Sequence, residues 1–247
     1  MAPFSVYPLF QPIMDLNSGM ISHYEALARI CGDVGHTLHQ PLLQQLEAVG
    51  VIAKLDLAML MRVLTLLGTH SNIKLSTNLS VKTVESAHGL VLRELHNFAP
   101  VCNRLTLEIT ESAPIENYCL VRRFCTAAKS QGCRISIDDF GRGYANLDRV
   151  QQLLPLLDAV KIDGELIQTA IGSKDQTSLD DLLSLVAHQK IPVVGEFIDT
   201  EDKLDFLRQR RIRYAQGYAI SIPRRSIGPH KRYEIPLAFS PLEWQAF

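Results

Sequence analysis

The sequence predicts an α/β protein folded as a single-domain, TIM-like (β/α)8 barrel. Two observations carry that prediction. Short apolar runs alternate with helix-period segments along the chain, and the 247 residues match the roughly 250 that a closed parallel barrel uses as one domain. A third observation argues against an open doubly wound sheet: no G-x-G-x-x-G turn follows the first strand.

Extended stretches are expected near Leu9–Leu16 and Ile21–Arg29. Val51–Leu67 reads as an amphipathic or buried helix, because Lys54, Asp56 and Arg62 interrupt an otherwise apolar run. Strands follow at Ile73–Val81, Arg104–Thr110, Arg134–Phe140, Ala159–Asp163, Pro192–Ile198 and Tyr214–Ser221. Between them, helical periodicity covers Thr83–Phe98, Glu116–Ser130, Tyr144–Leu154, Ser178–Gln189 and Thr200–Arg210. The barrel is expected over residues 1–226. Residues 227–247, which end in an apolar stretch, are expected to form a C-terminal extension packed on the barrel or on a partner.

Composition narrows the function. With 47% apolar and 21% charged residues, a large core is available and disorder is disfavoured. A formal charge of −1 gives no global field for polymeric nucleic acid or an anionic membrane, so any phosphate recognition must be local. No apolar run is long enough to predict membrane insertion. The five cysteines are odd in number and contain no C-x-x-C pair, which fits reduced thiols in a cytoplasmic protein.

Side chains alternate along a strand. In Arg104–Thr110, Leu105, Leu107 and Ile109 share one face, and Thr106, Glu108 and Thr110 the other. Ile135 and Ile137 likewise oppose Ser136 and Asp138, and Val160 and Ile162 oppose Lys161 and Asp163. The apolar face suits the helix layer, so the polar face points into the barrel, with an ionisable residue near each C-terminal strand end. Active sites of this fold are built there. The residues that close the runs are Glu25, Asn78, Glu108, Asp138, Asp139, Lys161, Glu196 and Gln216. Five carboxylates cannot share one mouth as bare anions, and Lys161 alone is too little compensation. Oxygen donors with no cysteine or histidine among them suit two divalent cations, Mg²⁺ or Mn²⁺. Such a pair is suited to in-line displacement at phosphorus.

At this point the chain resembles the EAL-domain phosphodiesterases. Tyr24-Glu25-Ala26-Leu27-Ala28-Arg29 resembles the E-A-L-x-R signature, and Gln11-Pro12-Ile13 the strand before it. Thr77-Asn78-Leu79-Ser80, Leu107-Glu108-Ile109-Thr110-Glu111, Asp138-Asp139-Phe140-Gly141, Lys161-Ile162-Asp163 and Gln216-Gly217-Tyr218 are similar to the later motifs, in the family's order, over roughly Phe4 to Pro223. The resemblance implies hydrolysis of cyclic di-GMP to linear pGpG by two-metal activation of water. It implies that Glu25, Asn78, Glu108 and Asp138 hold one metal, and that Asp138, Asp139 and Glu196 hold the other. Lys161, Glu196 and Glu25 would be catalytic. Gln11, Arg29, Asp163 and Gln216 would contact substrate or its hydration shell, and Glu111 and Asp199 would brace the loops. A homodimer and a regulatory or sensor partner are further expectations of the resemblance.

Three positions depart from the family pattern. Arg142 stands where threonine is usual, Phe197 where glycine is usual, and Asp199 where glutamate is usual. All three adjoin the residues that position the metals, and a displacement of about 1 Å can cost about a hundredfold in rate. The alternative reading is therefore a weak or inactive module that serves as a cyclic di-GMP receptor or a protein-interaction regulator. Asp199 also precedes Thr200 and the next helix, so it is equally a candidate helix cap.

Overall fold

The computed structural model describes residues 5–31, 36–37, 45–110, 113–142, 147–172 and 176–228. Two long strands open the chain, β1 (Ser5–Asp15) and β2 (Met20–Cys31), followed by the short β3 (His36–Thr37). Helix α1 (Ile52–Thr69) leads to β4 (Leu75–Ser80), and α2 (Val81–Asn97) to β5 (Leu105–Thr110). Then come α3 (Tyr118–Ser130), β6 (Arg134–Phe140), α4 (Leu147–Leu153), β7 (Ala159–Ile162) and α5 (Gly164–Gly172). The described chain closes with α6 (Thr177–His188), β8 (Val193–Gly195), α7 (Glu201–Gln209) and β9 (Tyr214–Ala215).

The strands run in the order β1-β9-β8-β7-β6-β5-β4-β2, and β1 pairs back onto β2, so eight strands close into a barrel; β3 lies outside it on β2. The predicted barrel is thus present, with one topological difference. β1 is antiparallel to both β2 and β9, while the remaining barrel pairings are parallel. The tight turn between β1 and β2 causes this: a hairpin reverses direction, and a parallel neighbour needs a crossover. The alternating faces behave as expected. Leu105, Leu107, Ile109, Ile135, Ile137, Val160 and Ile162 are all fully buried outside the barrel wall's polar face, packed in one core with the helices. Helix α5 was not expected from the sequence, and β8 and β9 are shorter than predicted because the chain leaves the ladder early at both. The expected extension lies outside the described residues from 229 onward. No helix among the described residues is long and apolar enough to cross a membrane.

Helix α1 buries Ile52, Leu55, Asp56, Met59, Leu60, Val63, Leu64 and Leu67, a stripe at three- and four-residue spacing. Asp56 is a carboxylate inside that stripe. Its Oδ2 accepts from Ser80 N at 2.8 Å and from Thr83 Oγ1 at 2.5 Å. Ser80 caps α2, its hydroxyl accepting from Lys82 N at 3.1 Å. Asp56 therefore fixes the junction of β4 and α2, two residues beyond Asn78. Burial pushes its carboxyl up to about 7, helped by the charge of Glu47 and opposed by the two hydrogen bonds.

A carboxyl with a higher pKa folded than unfolded binds its proton more tightly in the native state. Its contribution to stability is complete below about pH 4 and is lost as pH rises toward 7. Asp56→Asn keeps an acceptor and removes the titration. The stability of this variant relative to the wild type is therefore expected to rise by on the order of 2–4 kcal/mol between pH 4 and pH 7. Urea denaturation at a series of pH values measures it; a flat difference would contradict the buried, proton-binding carboxyl.

Candidate active site

The barrel register brings the predicted residues to one end. Gln11 of β1 lies opposite Glu25 of β2, and Asn78 of β4 lies beside Glu108 of β5. Glu196 follows β8 and continues its ladder, Glu196 N donating to Ile162 O at 3.0 Å. Gln216 follows β9 in the same way, its N donating to Gly195 O at 2.8 Å. Gly217 next to it is required by close approach, because a Cβ there would stand 2.2 Å from Ile198 N.

Asp138 and Asp139 need a separate explanation. Adjacent residues of a regular strand face opposite sides. The β6–β7 register shifts between Ile137 and Phe140, and Asp139 has a φ of 56°. This irregularity turns the second carboxylate toward the same mouth as the first, as bulges at strand ends do. One oxygen each from Asp138, Asp139 and Glu196 lie within 4.8 Å of one another, and so do oxygens from Glu25, Glu108 and Asp138.

Lys161 stands at the centre. Its Nζ is 3.1 Å from Glu25 Oε2, 2.7 Å from Glu108 Oε2, 2.9 Å from Asp138 Oδ1 and 2.8 Å from Glu196 Oε1. An ammonium has only three protons, so it cannot serve four carboxylates with directed hydrogen bonds. Asp138 Oδ1 is close to Nζ but off the direction that a hydrogen bond needs. Burial works against the charge of Lys161, yet the carboxylates of Asp138, Glu108, Glu196 and Glu25 outweigh it and hold its pKa well above the usual lysine value. The carboxylates divide. Glu25 is buried, but Lys161, Gln216 and Asn78 more than offset that and leave it below the usual range. Burial, with the charges of Glu25 and Asp138 added, pushes Glu108 up to about 8 despite Lys161. Burial and Asp138 push Asp139 up to about 7. Glu196 is raised well above the ordinary value by burial and by Asp138 and Asp139, again against Lys161. The site holds more negative charge than one lysine neutralises.

The amides fix Glu25. Asn78 Nδ2 donates to Oε1 at 2.8 Å and Gln216 Nε2 to Oε2 at 2.6 Å; Gln216 also donates to Gln11 Oε1, and Gln11 to Ser221 O. Both N–H donors of Gln216 and one of Asn78 are thus used, whereas the buried oxygens Asn78 Oδ1, Gln216 Oε1 and Glu196 Oε2 have no hydrogen-bond partner. Buried acceptors without donors are costly, and a hard divalent cation is the chemistry that this all-oxygen set fits. The residues present therefore suit metal binding.

Above the carboxylates opens a cavity of about 570 Å³. Gln11, Arg29, Asp199 and Gln216 line it, as do Arg142, Phe197 and Tyr218. Glu108 and Lys161 lie deeper, 1% exposed each. Asp163 is also 1% exposed; its Oδ1 accepts from Glu165 N at 2.7 Å at the start of α5, and its Oδ2 lies 3.8 Å from Arg142 Nη1. Its contacts are therefore with the loop that frames the cavity. Asp199 pairs with Lys203 Nζ at 2.9 Å, and it is Thr200 that caps α7. Glu111 lies outside the described residues. The sequence reading missed Asp56 and Lys203. Lys203 is buried and donates from Nζ to Phe197 O at 3.1 Å, holding the turn that carries Glu196. The i, i+4 spacing of Asp199 and Lys203 was the available signal.

The sequence matches the EAL domain over residues 5–223. The chain belongs to the EAL domain family. The probable cyclic di-GMP phosphodiesterase PdeA of Escherichia coli K12 is 29% identical over 207 residues, which cover 81% of this chain and 28% of that protein. The cyclic di-GMP phosphodiesterase NbdA of Pseudomonas aeruginosa is 30% identical over 224 residues, covering 87% of this chain and 28% of that protein. The chain thus spans little more than a quarter of the length of these relatives. Among solved structures, the PaMucR phosphodiesterase in complex with c-di-GMP superposes with a TM-score of 0.74 at 26% identity, covering 89% of this chain and 92% of that one. Bacillus subtilis YkuI, an EAL-domain protein solved with c-di-GMP and calcium, shares the fold at a TM-score of 0.75 and 22% identity, covering 91% and 57%.

The departures from the EAL pattern all sit at the cavity. Phe197 carries a φ of 52°, a conformation that costs a bulky residue about 1–3 kcal/mol. Lys161 is the only cation in contact with the carboxylate cluster among the described residues, so Lys161→Met should cost about 3–5 kcal/mol at neutral pH. The loss should shrink from neutral pH toward pH 5, where Glu108 and Asp139, raised to about 8 and about 7, are both fully protonated, and added Mn²⁺ should recover more stability in the variant than it adds to the wild type. Thermal denaturation at both pH values, with and without Mn²⁺, tests this; an unchanged melting temperature would show that the ammonium is dispensable.

Proposed function

We propose that this EAL domain is a metal-dependent phosphodiesterase that hydrolyses cyclic di-GMP to linear pGpG. The observation that carries the reading is the excess of carboxylates over ammonium at the barrel mouth, together with the buried, donorless oxygens of Asn78 and Glu196. The similarity to the cyclic di-GMP phosphodiesterase NbdA and to the probable cyclic di-GMP phosphodiesterase PdeA supports it. Glu25, Asn78, Glu108 and Asp138 would hold one divalent cation, and Asp138, Asp139 and Glu196 a second, either Mg²⁺ or Mn²⁺. Bound there, the cations supply positive charge to the attacking and leaving oxygens of an in-line displacement at phosphorus.

The chain's own residues do the rest. Lys161 is held protonated, so it enters as a donor that orients the attacking water and does not remove its proton. Gln216 and Asn78 keep Glu25 ionised and fixed, and Gln11 positions Gln216 from the far side. Arg29 lies at the cavity wall with its Nη1 donating to Ala28 O at 2.8 Å, leaving further donors for a substrate phosphate. Asp163 steadies Arg142, and Asp199 with Lys203 steadies the Glu196 turn. A cytoplasmic homodimer with a regulatory or sensor partner, and a C-terminal extension packed on the barrel or on a partner, belong to the same proposal.

One observation favours a second reading, that of a receptor that binds cyclic di-GMP without turning it over. The strained Phe197 immediately follows Glu196, in a turn where small errors in carboxylate placement lower the rate. Incubation with cyclic di-GMP and Mn²⁺ separates the two. Formation of pGpG that stops on chelation is expected, with Glu25→Ala and Lys161→Ala each lowering turnover by about 10²–10⁴-fold while keeping the fold. Tight binding of dinucleotide with no product from the metal-loaded protein would establish the receptor instead.

A further inference from the structure

We infer that Phe197 is a stacking platform for one base of the bound dinucleotide, and so a base-binding residue of the barrel mouth. The inference rests on the reading above, in either its enzyme or its receptor form, because both put cyclic di-GMP in this cavity.

Phe197 stands next to Glu196 and lines the same cavity as Asp139 and Arg29. Its ring is not there for the core: the residue is 58% exposed, more than any other aromatic side chain among the described residues. An isolated surface phenylalanine is ordinary. This one is held in place by a left-handed backbone, φ 52°, which glycine would adopt without strain and a bulky residue resists. The surrounding turn enforces the conformation. Lys203 Nζ holds the Phe197 carbonyl at 3.1 Å, Ile198 N donates to Gln216 O at 3.1 Å, and Glu196 N donates to Ile162 O at 3.0 Å. The packing also makes room for it. A Cβ on Gly164 would come within 2.4 Å of the Phe197 Cβ, so only glycine at the start of α5 lets this side chain stand where it does.

The strained turn therefore displays an apolar ring to the cavity, with more than half of the residue's surface left exposed. Tyr218, 39% exposed, is a second aromatic lining the same cavity. Beneath the rings lies the carboxylate cluster. A site with a cation-demanding floor and an aromatic rim is complementary to a ligand whose phosphates sit low and whose flat bases sit at the rim. Base–aromatic stacking is tolerant of base identity and depends on the π-face.

The test uses the full chain with Mn²⁺ and three ligands: cyclic di-GMP, GMP with one base, and ribose 5-phosphate with none. Isothermal titration is carried out on the wild type, Phe197→Ala and Phe197→Tyr. Phe197→Ala is expected to weaken cyclic di-GMP and GMP about tenfold and to weaken ribose 5-phosphate far less, while Phe197→Tyr restores base-bearing ligands. Equal weakening of GMP and ribose 5-phosphate would assign Phe197 to holding the Glu196 turn and overturn the stacking role. Unchanged or tighter binding of cyclic di-GMP by Phe197→Ala would overturn it too, by marking the ring as idle or obstructive. Failure of the wild type to bind cyclic di-GMP is a distinct result, which removes the functional reading and the inference with it.

Discussion

Lys161 Nζ lies within 3.1 Å of an oxygen from each of Glu25, Glu108, Asp138 and Glu196, contributed by β2, β5, β6 and the turn that follows β8. Each of these carboxylates would be expensive to bury alone. Together they are tolerable only because one buried ammonium faces all of them, and because Glu108, Asp139 and Glu196 shift toward their protonated forms. The ammonium is held charged by the same neighbours. Neither side of this arrangement stands without the other, and the strand ends are shaped to it: a register shift turns Asp139 inward, and backbone bonds extend β8 and β9 just far enough to hold Glu196 and Gln216.

That interaction also explains why the site is poised for cations. Three protons are spread over four carboxylates, and the amide oxygen of Asn78 and the second oxygen of Glu196 face no donor. A protein selected only for stability would fill such a mouth with apolar side chains. The cost is carried by the rest of the barrel, whose helices bury a continuous apolar layer around β4 to β7, and by local devices such as Asp56, which pins the end of β4 next to Asn78.

Much of this was legible in the sequence because two periodicities suffice for it. Alternation along β5, β6 and β7 assigned Glu108, Asp138 and Lys161 to the barrel interior, and helix spacing located α1 despite its charges. Direction is not encoded in a period of two, so the antiparallel course of β1 had no signal beyond its short turn to β2. Alternation alone would have sent Asp139 away from Asp138; only the irregularity at φ 56° brings them together. Asp56 looked like an interruption of an apolar stripe, since its partners Ser80 and Thr83 are distant in sequence. Helix α5 is short and begins directly after β7, and its start is marked only by Asp163 accepting from Glu165 N. The cap of α7 fell to Thr200, leaving Asp199 to pair with Lys203, because the threonine hydroxyl is the group that reaches Lys203 N.

On this geometry the carboxylate cluster around Lys161 would be a site for two divalent cations. Anomalous diffraction from crystals grown in manganese tests it most directly. Two manganese peaks are expected, one against Glu25, Asn78, Glu108 and Asp138 and one against Asp138, Asp139 and Glu196. Crystals saturated with manganese that show no peak at the barrel mouth, with Lys161 Nζ still within 3.1 Å of all four carboxylates, would contradict it.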